Sequence, residues 1–168
     1  MCQGSRRRTI IQILTSDLKN KLLVQALFEG FSNARIARPD AIPDMPARLD
    51  AFLEAGYHGQ MAWMEDRKAW RGAPAALWPE ARSVVMLAES YAPDVDPLEN
   101  LAHPDIGNIS VYAQGKDYHD VIKGRLKSFS SKLIAKLDKK SKTNVKIFVD
   151  TAPLMEKPLA EKSGIGWQ

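Results

Sequence analysis

The chain has 168 residues, 45% of them hydrophobic, and a formal net charge of +4 at pH 7. This length suffices for one compact domain that buries about 70% of the surface of its unfolded chain. The single Cys2 excludes a disulfide framework and a cysteine-bound metal or iron–sulfur site within this chain, which favours the reducing cytoplasm. No apolar stretch approaches the roughly 20 residues of a membrane span, so no membrane partner is expected.

The start of the chain combines three consecutive arginines with a short apolar run, but it has no signal-peptide cleavage site. We interpret residues 1–14 as a disordered basic leader, and we expect a single domain over residues 15–168.

Two helices are predicted in the first third of the chain. A helix over 16–29 would place Leu18, Leu22 and Phe28 on its apolar face and stop at Gly30. A second helix would begin near Pro46, because a proline in the first turn removes no helical hydrogen bond.

Two continuous apolar runs, at 83–88 and 145–149, have the length and composition of buried strands. The second would place Asp150 at the carboxyl end of a strand, where ligands bind in open α/β sheets. Between the two runs, a proline-rich segment predicts a long irregular connection.

The clearest helical pattern covers 118–140, where apolar residues recur every three or four positions: Ile122, Leu126, Phe129, Leu133 and Leu137. Its other faces carry many lysines, a pattern typical of a solvated surface but also of a nucleic-acid contact. A last helix is predicted over 156–162. These elements indicate an α/β or α+β fold, with a mixed sheet flanked by helices.

Candidate chemistry is sparse in the residues themselves. The common nucleotide-binding, zinc-protease and serine-hydrolase motifs are missing, and the three histidines are too scattered to predict a metal site. Asp117 and His119 partly match a D-x-H-x-x-G corrinoid motif, but Ile122 replaces its glycine, and we favour the simpler interpretation that Asp117 caps the following helix. Asp150 could be a proton donor if burial raised the pKa of its carboxyl group, or simply a turn residue.

Four segments resemble the epoxyqueuosine reductase family in the order in which they occur. They are YHGQMAWM at 57–64, YAQGKDYH at 112–119, FVDTAP at 148–153 and EKPLAEKSGIGW at 156–167. The similarity extends from about Leu18 to the last residue, so that only the basic leader is unmatched.

The resemblance implies an oxidoreductase with a nitroreductase-like, cobalamin-binding core, which reduces epoxyqueuosine to queuosine in the anticodon loop of tRNA. It implies that Asp150 donates a proton to the substrate. It also implies cobalamin contacts at the following residues: Arg71, Tyr112, Lys116, Asp117, Tyr118, Ala152, Gly164, Gly166 and Trp167. No residue of this chain is expected to ligate a metal, because the family holds cobalamin without a histidine on cobalt.

Members of the family continue into two cysteine-rich motifs that bind two 4Fe–4S clusters, for which this chain has no ligands. We therefore expect the chain alone to be inactive, because cobalt must be reduced before it can attack an epoxide. We further predict that Lys132 and Lys136 guide the tRNA backbone and that the protein is a monomer. Two alternatives remain open: a non-catalytic tRNA- or RNA-binding module, and a related corrinoid reductase with another substrate.

Overall fold

A computed structural model describes residues 17–137 and 142–166, which form two compact units. One unit takes the described residues up to Ser32 together with Glu89–Val149, and the other takes Asn33–Ala88 together with the described residues from Asp150 onward. Three predictions lie outside the described residues: the leader at 1–14, the last three positions of the helix predicted over 118–140, and the cofactor contact at Trp167. None of the helices in the described ranges is long and apolar enough to cross a membrane.

In chain order, the helices and strands are α1 (residues 17–28), β1 (Asn33–Ala37), α2 (Met45–Glu54), α3 (Lys68–Arg71), α4 (Pro74–Leu77), β2 (Val84–Ala88), α5 (Tyr118–Lys136) and α6 (Glu156–Ser163). Short 3-10 turns lie at Ala62–Met64, Glu99–Ala102 and Val111–Ala113. The connection from β2 to α5 is otherwise irregular, as its prolines predict.

The first unit is built on α1 and α5. The predicted apolar face of α5 is confirmed at its centre, where Leu126, Phe129 and Leu133 are buried. Leu22 and Ala26 supply the buried positions of α1. Because these residues recur at intervals of three and four, each helix turns one apolar stripe inward.

The prediction for Phe28 was wrong. This side chain is 82% exposed, although it was assigned to the apolar face of the first helix. Phe28 follows Leu22 by six positions, which is about 240° around an α-helix and therefore well off the buried stripe. The buried position one turn after Leu22 is taken by Ala26 instead.

The second unit contains a two-stranded antiparallel sheet, in which Asn33 pairs with Ala88 and Ala37 pairs with Val84. Helix α6 packs against both strands. Its Leu159 is 1% exposed and joins Ile42 and Met45 in the core of this unit. This packing fixes the start of α6, which carries the candidate site.

Helix ends follow their local sequence signals. Pro46 lies in the first turn of α2, and α6 ends at Gly164, whose φ of +83° is the left-handed conformation typical of a helix C-cap. Gly72 follows α3, and a Cβ atom on it would lie 2.9 Å from the backbone nitrogen of Pro46. Only glycine therefore lets α3 approach α2 this closely.

The combination of helices with a small sheet is confirmed, but the strand predicted at 145–149 was wrong. Residues 142–148 are in no strand, and the sheet of the described residues is antiparallel rather than mixed. Burial alternates along the run, with Ile147 half-buried and Lys146 and Phe148 exposed. An apolar run indicates that a segment is buried. A strand also requires a second strand about 4.8 Å away to accept and donate its backbone hydrogen bonds, and the composition of the run does not show whether one is present.

Candidate functional site

The second unit contains an open cleft of about 960 Å³. Two segments supply most of its lining, together with Met45 of α2: one contains Trp63, Asp66, Arg67 and Arg71, and the other runs from Asp150 to Pro158. Arg71, Asp150 and Ala152, which the sequence analysis assigned to a single site, thus come together although they lie far apart in the chain.

The side chain of Arg71 is positioned in the cleft by two contacts with Trp63. Its guanidinium carbon lies 4.9 Å from the centre of the Trp63 ring, and its Nη2 donates a hydrogen bond of 3.3 Å to the carbonyl oxygen of Trp63. Its Nε is buried and finds no hydrogen-bond partner among the described residues. A buried donor without a partner is costly, and a polar ligand in the cleft could satisfy it.

The segment from Asp150 to Met155 is a tight turn. Asp150 has a φ of +51°, in the left-handed region that aspartate tolerates better than most residues. The N–H of Leu154 donates to the carbonyl oxygen of Ala152 at 2.8 Å, and the N–H of Met155 donates to that of Arg71 at 3.0 Å. The second hydrogen bond fixes this turn to the helix that carries Arg71.

Asp150 differs from its prediction in two respects. It lies in this turn rather than at the end of a strand, and it is exposed rather than buried. Its carboxyl group hydrogen-bonds with the carboxyl group of Glu156, the first residue of α6. Two carboxyl groups can form such a bond only when one of them keeps a proton.

The pKa of Glu156 is raised to about 7, first by burial, then by the negative charge of Asp150 and by the hydrogen bond to it. Such a pKa is suited to an acid that works near neutral pH. The cleft therefore combines three basic side chains, Arg67, Arg71 and Lys157, with a carboxyl group whose pKa lies near neutral pH.

The predicted site residues of the other unit lie around the start of α5. Asp117 caps this helix: its Oδ1 accepts hydrogen bonds of 2.8 Å from the backbone N–H of His119 and from the Nδ1 of the same residue. These bonds, the backbone one first, hold the pKa of Asp117 below its usual range. The capping interpretation is confirmed.

An aromatic group adjoins this cap. The rings of Tyr112 and Tyr118 meet edge to face at 6.4 Å, and Tyr118 stacks on His119 at 4.1 Å.

The other residues predicted to contact the cofactor lie in both units. Lys116 is exposed one position before Asp117. Gly164 and Gly166 lie in the second unit, just after α6, and both have positive φ angles. The assignment of these residues to a cofactor stays a prediction.

The two lysines predicted to contact nucleic acid have intramolecular partners. Lys132 forms an ion pair of 2.5 Å with Glu29, and Lys136 donates to the side chain of Gln25 at 2.8 Å. Gln25 in turn donates to Glu29 at 2.7 Å. The hydrogen bond from Lys132 is the first cause that lowers the pKa of Glu29. This ladder joins α1 to α5, while leaving the side chain of Lys132 52% exposed to other anions.

Sequence reasoning missed Glu156, Arg67 and Trp63 as site residues. Glu156 and Trp63 belong to the segments that resemble the reductase family, but neither residue type is diagnostic by itself. The available signal for Glu156 was its position six residues after Asp150, across a segment with a proline. No cluster of potential metal ligands occurs within residues 17–137 and 142–166.

Comparisons with known proteins agree with the resemblance. The family model described as "Epoxyqueuosine reductase QueG, DUF1730" matches residues 71–151. The epoxyqueuosine reductase of Vibrio cholerae serotype O1 is 37% identical over 151 residues, which cover 89% of this chain and 40% of that relative. The chain thus spans about two fifths of the length of such curated relatives.

Solved structures of the same family share the fold. One is an epoxyqueuosine reductase with an epoxyqueuosine-modified tRNA-Tyr stem loop, with a TM-score of 0.71 and 26% identity over 90% of this chain and 39% of that one. Another, from Bacillus subtilis, has a TM-score of 0.67 at the same identity and coverage, and is described with its catalytic aspartate loop swung out of the active site.

Proposed function

We propose that the chain belongs to the epoxyqueuosine reductase family, whose model and relatives it matches, and that it forms the cobalamin- and substrate-binding part of an enzyme that reduces epoxyqueuosine to queuosine in tRNA. The observation that carries this proposal is the cleft, which combines Arg71 with the Asp150 turn at the positions that the family resemblance assigns to the active site. The electrons would come from two 4Fe–4S clusters. The matched region is only 40% of the Vibrio cholerae relative, so most of that protein lies outside the match.

The cleft suits a large polar cofactor. Cobalamin carries a periphery of amide groups and a phosphate, which accept hydrogen bonds, and the unpartnered Nε of Arg71 is a buried donor. The planar guanidinium is held against Trp63, so its donors are already oriented before a ligand binds. When bound, cobalamin would supply the electron-rich cobalt that opens the epoxide. In this unit we assign Arg71, Ala152, Gly164 and Gly166 to holding it.

Asp150 would deliver a proton to the oxygen of the opened epoxide. An alkoxide is poorly stabilised away from water, so an acid at this oxygen lowers the barrier to breaking the C–O bond. The turn holds Asp150 at the cleft in a left-handed conformation, a geometry often found at functional sites. The Bacillus subtilis structure is described with its catalytic aspartate loop swung out of the active site, and the exposed Asp150 of this chain is consistent with such an arrangement.

The partner nucleic acid would be the anticodon loop of a tRNA, because a relative of the same fold is known with a tRNA-Tyr stem loop. We assign Lys132 and Lys136 to contacts with its phosphates. The side chains of both lysines are hydrogen-bonded to residues of α1, and these bonds would orient the ammonium groups while leaving them accessible to the phosphates.

The decisive experiment measures conversion of epoxyqueuosine to queuosine in tRNA by the full-length enzyme loaded with cobalamin and reduced clusters. Changing Asp150 to Asn preserves shape and hydrogen bonding but removes the transferable proton, so turnover should fall about 100-fold or more. Cobalamin binding, followed by its visible absorption, should persist. If the unmodified enzyme leaves epoxyqueuosine unchanged, the proposed reaction is wrong. If the Asn variant turns over at the normal rate, Asp150 is not the acid.

A further inference from the structure

Asp150 and Glu156 stand at the two ends of the same turn and line the same cleft, and the Glu156 end is fixed by two anchors. Met155, which directly precedes Glu156, donates a hydrogen bond from its N–H to the carbonyl oxygen of Arg71. Glu156 begins α6, and Leu159, one helical turn later, is almost completely buried in the core of the unit. The Glu156 carboxyl group, which hydrogen-bonds with that of Asp150, is therefore positioned by the fold.

The chemistry of this contact requires a proton. Two ionised carboxylates have no donor between them and repel each other, whereas one protonated and one ionised carboxyl group form a strong hydrogen bond. Five charged side chains face the same cleft besides Glu156: Asp66, Arg67, Arg71, Asp150 and Lys157. Among the described hydrogen bonds and ion pairs, no arginine or lysine is bonded to the Glu156 carboxyl group, so its burial and its acidic neighbour both favour the neutral form.

We propose that Glu156 stores the proton that Asp150 delivers, so that the two carboxyl groups work as a relay with one shared proton. The inference rests on the proposed function, in which Asp150 touches the substrate. Glu156 acts through Asp150 and is a positioning residue.

The proton balance of the reaction calls for such a store. Conversion of an epoxide to an alkene with loss of water consumes two electrons, which the clusters would supply, and two protons, both of which end on the departing oxygen. Glu156 passes its proton across the hydrogen bond to Asp150, and Asp150 passes it to the oxygen as the C–O bond breaks. The pair, now doubly negative, takes up one proton from solvent and delivers the second in the same way.

The shared proton can be measured without turnover, by following the carbon-13 carboxyl signals of this chain through a pH titration. We expect Glu156 to titrate near pH 7, as its pKa of about 7 indicates. In the Asp150→Asn variant, the negative neighbour is gone, and the midpoint should fall by about one pH unit or more. The exposed Glu161 on the same helix is the control, with Glu161→Gln leaving the Glu156 midpoint unchanged. A Glu156 midpoint below about 5.5, or one indifferent to Asp150→Asn, overturns the shared proton.

The relay is tested in the full-length, cofactor-loaded enzyme. Glu156→Gln should lower kcat at least about tenfold with little change in KM and should alter the alkaline limb of the pH profile, where the proton of Glu156 is lost, whereas Glu156→Asp should restore part of the rate. Normal kcat for Glu156→Gln, with Asp150→Asn inactive, overturns the relay and leaves the proposed reaction standing. An inactive unmodified enzyme overturns the proposed reaction and the relay role with it, while the shared proton is then judged by the titration alone.

Discussion

The backbone N–H of Met155 donates a hydrogen bond of 3.0 Å to the carbonyl oxygen of Arg71. This bond joins the two segments that line the cleft, and it does so through the main chain, so no side-chain substitution removes it directly. Arg71 consequently has two roles: its carbonyl holds the Asp150 turn, and its guanidinium, stacked on Trp63, faces the cleft. Substitutions of Arg71 should therefore report on ligand binding with little effect on the turn.

Arg71→Lys keeps the positive charge but loses the planar fork that stacks on Trp63 and the Nε donor. We expect the affinity for cobalamin to fall about tenfold, equivalent to about 1.4 kcal/mol, in a spectrophotometric or calorimetric titration. Arg67→Lys is the matched control, because Arg67 lies over a different ring, that of Trp70, at 5.3 Å. Unchanged affinity in the Arg71→Lys variant would show that only the charge of the cleft matters, and equal losses for the two variants would contradict a distinct role for Arg71.

Core packing of the first unit can be tested on α5. Leu133 is 8% exposed, and truncation to Ala should lower the free energy of unfolding by about 2–5 kcal/mol, since it removes buried methyl groups and leaves a cavity. Ile134, the next residue along, is 46% exposed and serves as the control, with a cost below about 1 kcal/mol for the same truncation. Urea denaturation of both variants would decide, and similar losses would contradict the assignment of the buried face.

Gly72→Ala tests the close approach of α3 to α2. The new Cβ would lie 2.9 Å from the backbone nitrogen of Pro46, so the two helices must separate, at a cost of about 1–3 kcal/mol. A Cβ added to Gly124, on α5, would meet no atom beyond its own stretch of helix within 4 Å, and Gly124→Ala should stabilise the protein by up to about 1 kcal/mol. Opposite signs in thermal or urea denaturation are the expected result, and a neutral Gly72→Ala would mean that α3 moves freely.

The nucleic-acid assignment predicts a change in salt dependence. Replacing Lys132 and Lys136 together by Gln removes two charges but retains amide donors for Glu29 and Gln25, so the fold should survive. The plot of log affinity against log salt for the tRNA stem loop should become less steep by about 1.5, because two phosphate contacts are lost. Replacing Lys19 and Lys21 on α1 in the same way controls for net charge. Identical slopes for both pairs would refute a specific contact.

Local signals in the sequence predicted the helices well. The periodic apolar residues of α5, Pro46 at the start of α2 and Gly164 after α6 each act within one or two turns of the chain, and their predictions were confirmed. The run at 145–149 failed because strand formation depends on a partner elsewhere in the chain.

The site was predictable only in part, and for a similar reason. The resemblance selected Arg71 and Asp150 as members of one site, and the cleft contains both. It gave no indication that Asp150 would form a hydrogen bond with Glu156, because that contact depends on how the turn is anchored to Arg71 and how α6 packs on the sheet. The lysine pattern of α5 likewise did not predict which residues would pair with the lysines, such as Glu29 with Lys132.

The carboxyl pair should also make the stability of the protein depend on pH, with a sign opposite to that of most acidic residues. The pKa of Glu156 rises from an ordinary 4.5 to about 7 on folding, so between these values the folded state binds more protons than the unfolded state. The free energy of unfolding must then decrease as the pH rises through this window. The full shift would correspond to about 3 kcal/mol, but the group is only partly buried and solvent screens it, so we expect about 1–2 kcal/mol.

Glu156→Gln removes this titration, since an amide neither binds nor releases a proton in the window. The variant should therefore match the unmodified protein near pH 5 and exceed its stability by about 1–2 kcal/mol at pH 8, where the unmodified protein holds two carboxylates side by side. Urea denaturation at pH 5, 6, 7 and 8 measures the difference directly, with Glu161→Gln as the control that should leave the pH profile unchanged. Parallel profiles for the Glu156→Gln and unmodified proteins would show that Glu156 is ionised throughout and that the pair holds no proton. A gain in stability at high pH, accompanied by the loss of turnover predicted for the relay, would instead show that the fold retains an unfavourable contact because the reaction uses its proton.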